Sequence, residues 1–194
     1  MSERRPKIFI LSGPGGAGKT TLEKRLFRKK LIRDRFLRGI SFTTRPIRPG
    51  ERPGRDYVFV SREEFVRLEK RGFFLESEKV LEHYYGTPRT LLTQAGKESK
   101  DLLLCIDVKG GMRLKQKEKK NKVITIFVSA PTLEELEKRL RNRVERKNFI
   151  TRRIALAKKE LQFAARYDYL VTNIDISRSL DVLEAILTAE QYRR

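Results

Sequence analysis

The chain has 194 residues, of which 39% are hydrophobic and 9% aromatic, so it can bury one core and is not a disordered polyelectrolyte. Its 45 Lys and Arg against 25 Asp and Glu give a net charge of +20, which attracts anions without specifying nucleotides, RNA or membrane headgroups. Cys105 is the only cysteine and cannot form an internal disulfide. The apolar run at residues 8–11 is too short for a signal peptide or a membrane span. The sequence therefore predicts a cytoplasmic protein with no membrane partner.

Four short, continuously apolar runs predict buried parallel strands, at residues 8–11, 102–106, 123–128 and 169–171. Helical patterns lie between them, and one of these opens at Thr132 with a Thr-x-x-Glu capping box. An irregular, polar stretch is expected between two helices, at residues 144–149. Strands that alternate with helices favour an α/β layered fold.

Residues 41–87 read differently from the rest of the chain. They are rich in proline and glycine, with one probable strand at residues 57–60 and a capping box at Ser61 that opens a short helix. We interpret this stretch as a subdomain inserted into the main sheet.

A phosphate-binding loop is predicted directly after the first strand. Residues 13–20, Gly13-Pro14-Gly15-Gly16-Ala17-Gly18-Lys19-Thr20, fit G-x-x-x-x-G-K-[ST] between a strand and a helix. The glycines let main-chain N–H groups turn towards phosphate oxygens, Lys19 can reach the β- and γ-phosphates, and the Thr20 hydroxyl can ligate Mg²⁺. A plain glycine-rich turn would give the lysine and the hydroxyl no role. The motif predicts binding of ATP or GTP.

A second anion site is indicated by Arg45 and Arg48, three residues apart in a proline-stiffened loop, with Tyr57 close behind. Guanidinium groups donate in a planar fork that suits a terminal phosphate. Phe74-Leu75-Glu76 and Tyr84-Tyr85-Gly86-Thr87 follow. Taken singly, an arginine pair is usually surface charge and a Tyr-Tyr pair usually core packing.

The order and spacing of these motifs, with Ile106-Asp107-Val-x-Gly110 after them, resemble the guanylate kinase family over nearly the whole chain. The resemblance implies an α/β fold of the P-loop NTPase type, with helices flanking a parallel sheet, a small GMP-binding α+β insertion and a lid. It implies transfer of a phosphoryl group from ATP, with its Mg²⁺, to GMP. It also implies one domain over residues 1–194, with a core at about 5–40 and 98–194, an insertion at about 41–97 and a lid at about 139–153.

The family's motifs assign roles to matching positions. For GMP these are Ser41, Arg45, Arg48, Tyr57 and Tyr85 at the phosphate and Glu76, Thr87 and Asp107 at the guanine. For ATP they are Gly13, Pro14, Gly15, Gly16, Ala17, Gly18, Lys19, Thr20, Thr21 and, near the adenine, Asn173. The catalytic positions are Lys19, Arg45, Arg139, Arg143 and Arg153, and Thr20 would hold the metal. A carboxylate can accept from guanine N1–H and N2–H₂, which adenine does not offer together, so Glu76 would discriminate between the two bases.

The chain departs from the family's usual motifs without losing these positions. Val144-Glu-Arg-Lys-Asn-Phe149 replaces the usual Gly-Thr-x-[Ser/Thr/Asp]-Glu-Glu of the lid, and Ser77 stands where the family has Trp. His83 is expected to pack or line a rim because an ionised acceptor phosphate needs no general base. Cys105 is expected to be inert packing in a buried strand.

Three alternatives stay open on the sequence. A guanylate-kinase-like domain can be a binding module without catalysis, although Lys19 and Thr20 are intact here. The acceptor could be another nucleoside monophosphate or a ribose phosphate, although Glu76 and Thr87 are retained. The net charge could support nucleic-acid binding, which we consider unlikely. A monomer or a small homo-oligomer is expected.

Overall fold

The molecule is built on two sheets connected by helices. The computed structural model describes residues 5–142 and 147–193. In chain order the elements are β1 (Ile8–Ser12), α1 (Lys19–Leu26), α2 (Lys30–Arg35), β2 (Phe36–Arg38), β3 (Phe42–Thr43), β4 (Val58–Phe59), α3 (Arg62–Lys70), β5 (Phe74–Val80), β6 (His83–Pro88), α4 (Thr90–Lys97), β7 (Asp101–Cys105), α5 (Val108–Lys117), β8 (Val123–Ser129), α6 (Leu133–Arg141), α7 (Lys147–Leu161), β9 (Tyr169–Thr172) and α8 (Ile176–Tyr192).

The large sheet is parallel, with the strand order β2-β7-β1-β8-β9. Strand β1 lies at its centre and is buried along its whole length. Phe9 and Leu11 face a core cluster with side chains of α1 and α8, whereas Ile8 and Ile10 face a second cluster with α4 and α5. Because both faces are covered, the central strand is continuously apolar, as the sequence predicts.

The small sheet has the order β4-β3-β6-β5, in which β5 and β6 form an antiparallel hairpin and β3 runs antiparallel to β6. Its strands β3 and β4 are only two residues long and pair in parallel. The α3 helix packs on it through Phe65, whose ring stacks on Phe74 at 4.6 Å. Helix α4 instead packs on the large sheet through Leu91 and Ala95.

The fold class predicted from the sequence is confirmed. The four predicted core strands are present within one or two residues of their expected limits. The N-cap bond of each predicted capping box forms: Ser61 Oγ accepts from Glu64 N at 3.1 Å and Thr132 Oγ1 from Glu135 N at 3.2 Å. No helix within residues 5–142 and 147–193 has the length and apolar character to cross a membrane.

One structural prediction is wrong in part. Residues 144–149 were expected to be irregular, but helix α7 begins at Lys147, so the last three are helical. This segment contains no proline or glycine that would stop the helix from starting early. Residues 144–146 lie outside the described ones.

Candidate active site

The loop from Gly13 to Gly18 joins β1 to α1, and its conformation is one that requires glycines. Gly13, Gly16 and Gly18 have φ of 140°, 89° and 95°, a region that residues other than glycine rarely adopt. A Cβ on Gly13 would lie 2.0 Å from the carbonyl oxygen of Val128, so only glycine fits against β8. Lys19 Nζ donates to the carbonyl oxygens of Gly13 at 2.5 Å and Pro14 at 3.0 Å, which places its charge over the loop.

Asn173 is hydrogen-bonded to the main chain of this loop. Its Nδ2 donates to the Ala17 carbonyl oxygen at 2.8 Å, and its Oδ1 accepts from Ser179 Oγ at 3.1 Å. Because the C=O and the next N–H of a trans peptide point in opposite directions, fixing the Ala17 carbonyl also fixes the Gly18 N–H. Asn173 is 4% exposed and its side-chain amide is engaged by protein groups on both atoms.

A cleft of about 530 Å³ runs from this loop to the small sheet. It brings together most of the residues predicted for the site, although they come from five separate segments of the chain. The predicted residues that line it are Gly13, Gly15, Gly16, Gly18, Lys19, Thr20, Thr21, Ser41, Arg45, Arg48, Tyr57, Glu76, Tyr85, Asp107 and Arg153.

On the far side of the cleft, Arg45 is held rigidly. Its Nη2 donates to Glu51 Oε1 at 2.7 Å and Oε2 at 3.0 Å, and its Nη1 donates to the Pro46 carbonyl oxygen at 2.6 Å. The guanidinium carbon lies 5.4 Å from the centre of the Tyr57 ring. Glu51 Oε2 also accepts from the Arg48 main-chain N–H at 2.8 Å, so one carboxylate holds the Arg45 guanidinium and the main chain at Arg48.

Glu76 and Thr87 face each other across the β5–β6 hairpin in the floor of the cleft. Thr87 Oγ1 donates to Glu76 Oε1 at 2.7 Å, and Ser41 Oγ lies 3.4 Å from Thr87 Oγ1. The other carboxylate oxygen, Glu76 Oε2, is buried and makes no hydrogen bond within the described part of the chain. Burial, with added repulsion from Asp107, raises the pKa of Glu76 to about 8 despite the bond from Thr87.

Asp107 closes the same pocket at the start of α5. Its Oδ1 accepts from the main-chain N–H groups of Lys109 at 2.9 Å and Gly110 at 3.1 Å, and it therefore caps the helix. Burial raises the pKa of Asp107, opposed by these two bonds. A Cβ on Gly110 would meet Glu76 Oε2 at 2.6 Å, so the glycine leaves room for the carboxylate.

Helix α7 covers the phosphate loop with Arg153. A Cβ on Gly15 would lie 3.5 Å from Arg153 Nη1, which places this guanidinium directly above the loop. Two turns further along α7, Glu160 also lines the cleft and is 9% exposed. Burial raises the pKa of Glu160 to about 7, although the charge of Lys19 lowers it.

Five predicted residues do not line the cleft. Pro14 and Ala17 are buried in the loop, and Thr87 lies beneath Glu76. Asn173 lies behind the loop. Arg139 donates to Glu135 Oε1 at 2.9 Å and to the Asn173 carbonyl oxygen at 3.2 Å. Arg143 lies outside the described residues.

Three ionisable residues that line the cleft were not assigned to it from the sequence. Glu51 stands six residues after Arg45, and Glu160 stands at helical spacing from Arg153, which is the signal that could have indicated them. Cys105, expected inside a buried strand, is the last residue of β7 and is partly exposed at the cleft wall. Burial still raises the pKa of its thiol to about 12, which agrees with the expected inertness.

A glycine-rich phosphate loop on a parallel sheet, facing arginines and a buried carboxylate across one cleft, defines a P-loop kinase with a small phosphorylated acceptor. The guanylate kinase family model matches residues 5–190. The chain belongs to the guanylate kinase family. The resemblance read from its motifs is confirmed.

Relatives and a solved structure agree with this assignment. The chain is 38% identical to the guanylate kinase of Nitrobacter winogradskyi, over 99% of this chain and 86% of that one. It is 41% identical to that of Caldanaerobacter subterraneus, over 96% and 88%. The crystal structure of guanylate kinase from Anaplasma phagocytophilum superposes with a TM-score of 0.80 at 32% identity, covering 97% of this chain and 88% of that one.

Proposed function

We propose that the protein transfers the γ-phosphoryl group of ATP to GMP and produces ADP and GDP. The observation that carries the choice of acceptor is Glu76 Oε2, a buried carboxylate oxygen without a hydrogen bond in the described residues, at the floor of the cleft that the phosphate loop opens into. A buried acceptor of this kind is costly unless a ligand supplies a donor.

Guanine supplies the donors that this pocket lacks. Its N1–H and N2–H₂ would donate to Glu76, whose other oxygen already accepts from the Thr87 hydroxyl beneath it. Adenine would leave the carboxylate unpaired, and a mismatch of this kind discriminates by about 10⁴ in a site built around hydrogen bonds. Ser41, at 3.4 Å from Thr87, completes the same polar surface.

The GMP phosphate would occupy the pocket of Arg45, Arg48, Tyr57 and Tyr85. Glu51 fixes the Arg45 guanidinium before the ligand arrives, so little rearrangement is needed on binding. An oxygen of this phosphate then attacks the γ-phosphorus in line with the bridging β–γ oxygen. The bond to that oxygen breaks, and ADP leaves with the bonding electron pair. No general base is required because the attacking oxygen is already ionised near neutral pH.

The donor phosphates would lie on the main-chain N–H groups of residues 13–20, with Lys19 at the β- and γ-phosphates. Arg153, above Gly15, is positioned for the charge that spreads over the transferring group. Arg139 and Arg143 would join it when residues 139–153 act as a lid over the core and the insertion at residues 41–97. Such closure excludes water and prevents hydrolysis of ATP.

The residues present fit the Mg²⁺ that accompanies ATP. Thr20 has an exposed side chain at the cleft, and Asp107 adds a carboxylate to the cleft lining. These are hard oxygen donors, which Mg²⁺ prefers together with phosphate oxygens and water. When bound, the ion neutralises charge on the phosphates and polarises them. Thr20 would hold it directly.

The cleft is formed within one chain, so we propose activity as a monomer or within a small homo-oligomer. The cytoplasm, which supplies both ATP and GMP, is the compartment that we propose. ATP and GMP are the two ligands for which the polar groups of the cleft provide partners.

A coupled assay of ADP release over a panel of nucleoside monophosphates tests the proposal. We expect strong activity with GMP and at least about 10³-fold lower kcat/KM with AMP, CMP and UMP. Equal activity with several acceptors would contradict the role of Glu76. Inactivity with every acceptor, despite measurable ATP binding, would favour a binding module instead.

A further inference from the structure

Five charged residues, all but Arg55 buried or half-buried, form a chain of contacts between the two halves of the cleft. They lie on α1, on β2 and on the loop at residues 50–57, three segments that meet behind the acceptor pocket. We call them the strap: Glu23, Lys24, Arg38, Arg55 and Asp56.

Asp56 is the centre of the strap. Its side chain is 2% exposed and forms an ion pair with Lys24 Nζ. The carboxylate also accepts from the Arg52 main-chain N–H at 2.8 Å and from Arg55 Nε at 3.1 Å. Burial opposes ionisation of Asp56, but the bonds from Lys24, Arg52 and Arg55 outweigh it and lower its pKa to about 2. The carboxylate is therefore charged throughout the neutral range.

A second bridge runs through Arg38, the last residue of β2 and four residues before β3 begins at Phe42. Arg38 Nη2 donates to Glu23 Oε2 at 2.8 Å, and Arg38 Nη1 donates to the Arg55 carbonyl oxygen at 3.0 Å. The Glu23 side chain is 4% exposed and the Arg38 side chain 19%. Helix α1 is therefore tied to the 50–57 loop both directly and through β2.

The two ends of the strap lie next to the two phosphate sites. Lys24 stands five residues after Lys19, in the helix that begins in the phosphate loop. Asp56 immediately precedes Tyr57, whose ring lies against the Arg45 guanidinium. Any shift of the strap would therefore change the separation of the donor and acceptor phosphates.

Regular sheet structure holds this loop only weakly. Strand β4 is two residues long, and the loop before it has Gly50 and Gly54 at φ of 81° and 73° with open space around both. Because the ladder hydrogen bonds are so few, the ion pairs add a connection from the loop to α1 and β2.

We propose that Lys24 and Asp56 are positioning residues for phosphoryl transfer, which set the distance between the acceptor phosphate and the donor loop. The proposal rests on the proposed ATP:GMP transfer. In-line transfer depends on placement, and a displacement of about 1 Å can cost about 100-fold in rate. The strap would supply part of that placement without touching either nucleotide.

The test is a double-mutant cycle of Lys24→Met and Asp56→Asn, in which the Asn retains an acceptor for the Arg52 amide. Each single variant should lower kcat/KM for GMP by about tenfold and leave the KM for ATP within about twofold. The double variant should be no worse than the singles, because both remove one interaction. Lys24→Arg, which keeps the charge, should restore activity, and Lys30→Met at an exposed pair with Asp34 should change nothing.

A readout without GMP separates this proposal from the proposed function. In the ligand-free protein, Lys24→Met should speed amide hydrogen exchange in residues 50–57 and leave β1 and β8 unaffected. If the wild type neither binds nor phosphorylates GMP, the proposed function fails, and the exchange experiment then decides on the strap. Additive single-variant effects, or unchanged exchange in the loop, would overturn the proposal.

Discussion

The two phosphate sites of the cleft are built by different means. The donor loop at residues 13–18 is main chain, shaped by glycines at positive φ and enclosed by β8 and Asn173. The acceptor pocket is side chain, with Arg45 oriented by Glu51 and its loop tied to the core by Lys24 and Asp56. The binding groups of the donor loop come from consecutive residues, whereas those of the acceptor pocket come from separate segments of the chain. The two should therefore fail separately when they are mutated.

Lys19→Ala should give the largest effect. It removes the charge over the donor loop, and we expect kcat to fall by about 10³-fold or more. GMP binding, measured by calorimetry without ATP, should change by less than about twofold because the acceptor pocket does not depend on Lys19.

Lys30→Ala on the exposed face of α2 is the control, and it should match the wild type in both measurements. A parallel loss of GMP affinity in Lys19→Ala would contradict the independence of the two sites.

Glu76→Gln should have the next largest effect, confined to the acceptor side. The amide keeps the shape of the carboxylate but replaces one acceptor with a donor, so we expect kcat/KM for GMP to fall by about 10²-fold. The KM for ATP should stay within about twofold, and the ratio of GMP to AMP activity should shrink in the nucleoside monophosphate panel.

Glu78→Gln is the matched control, since Glu78 lies on the same strand but is already paired with Arg113 at 2.6 Å. An unchanged guanine preference in Glu76→Gln would show that other groups read the base.

The difference between the two sites also explains what the sequence could reveal. The donor loop could be located from eight consecutive residues because its chemistry depends on main-chain N–H groups and on glycines that permit their geometry. The parallel arrangement of the four predicted core strands could be inferred from their continuous apolarity. In both cases short-range sequence determines the structure.

The acceptor side could be assigned only through family resemblance. Glu76 and Thr87 are eleven residues apart, and they face each other because of the register of the β5–β6 hairpin, which includes an irregularity near Phe74. The ion pair between Lys24 and Asp56, which lie on α1 and on the loop at residues 50–57, arises from tertiary packing. Side-chain spacing alone does not specify such contacts.

The smallest expected effect is the pH dependence of the two KM values, which should differ between the acceptor site and the donor site. The pKa of Glu76 is raised to about 8 in the ligand-free protein, mainly by burial, so the carboxyl is mostly protonated at pH 7. Accepting from guanine N1–H and N2–H₂ requires the ionised form. The KM for GMP should therefore fall by roughly eightfold between pH 7 and pH 8.5, above the range in which the GMP phosphate ionises.

The donor side should respond with the opposite sign. The pKa of Glu160 is about 7, so it gains negative charge beside the phosphate loop over the same range, and the KM for ATP should rise slightly. Glu76→Gln should abolish the pH dependence of the KM for GMP and keep that of the KM for ATP. Glu160→Gln should abolish the pH dependence of the KM for ATP and keep that of the KM for GMP. The two nucleotides would share one cleft. If the KM for GMP and the KM for ATP change with pH in opposite directions, and each change is removed by one substitution, then Glu76 acts on GMP and Glu160 on ATP. A flat KM for GMP in the wild type would contradict the ionised Glu76 as the guanine acceptor.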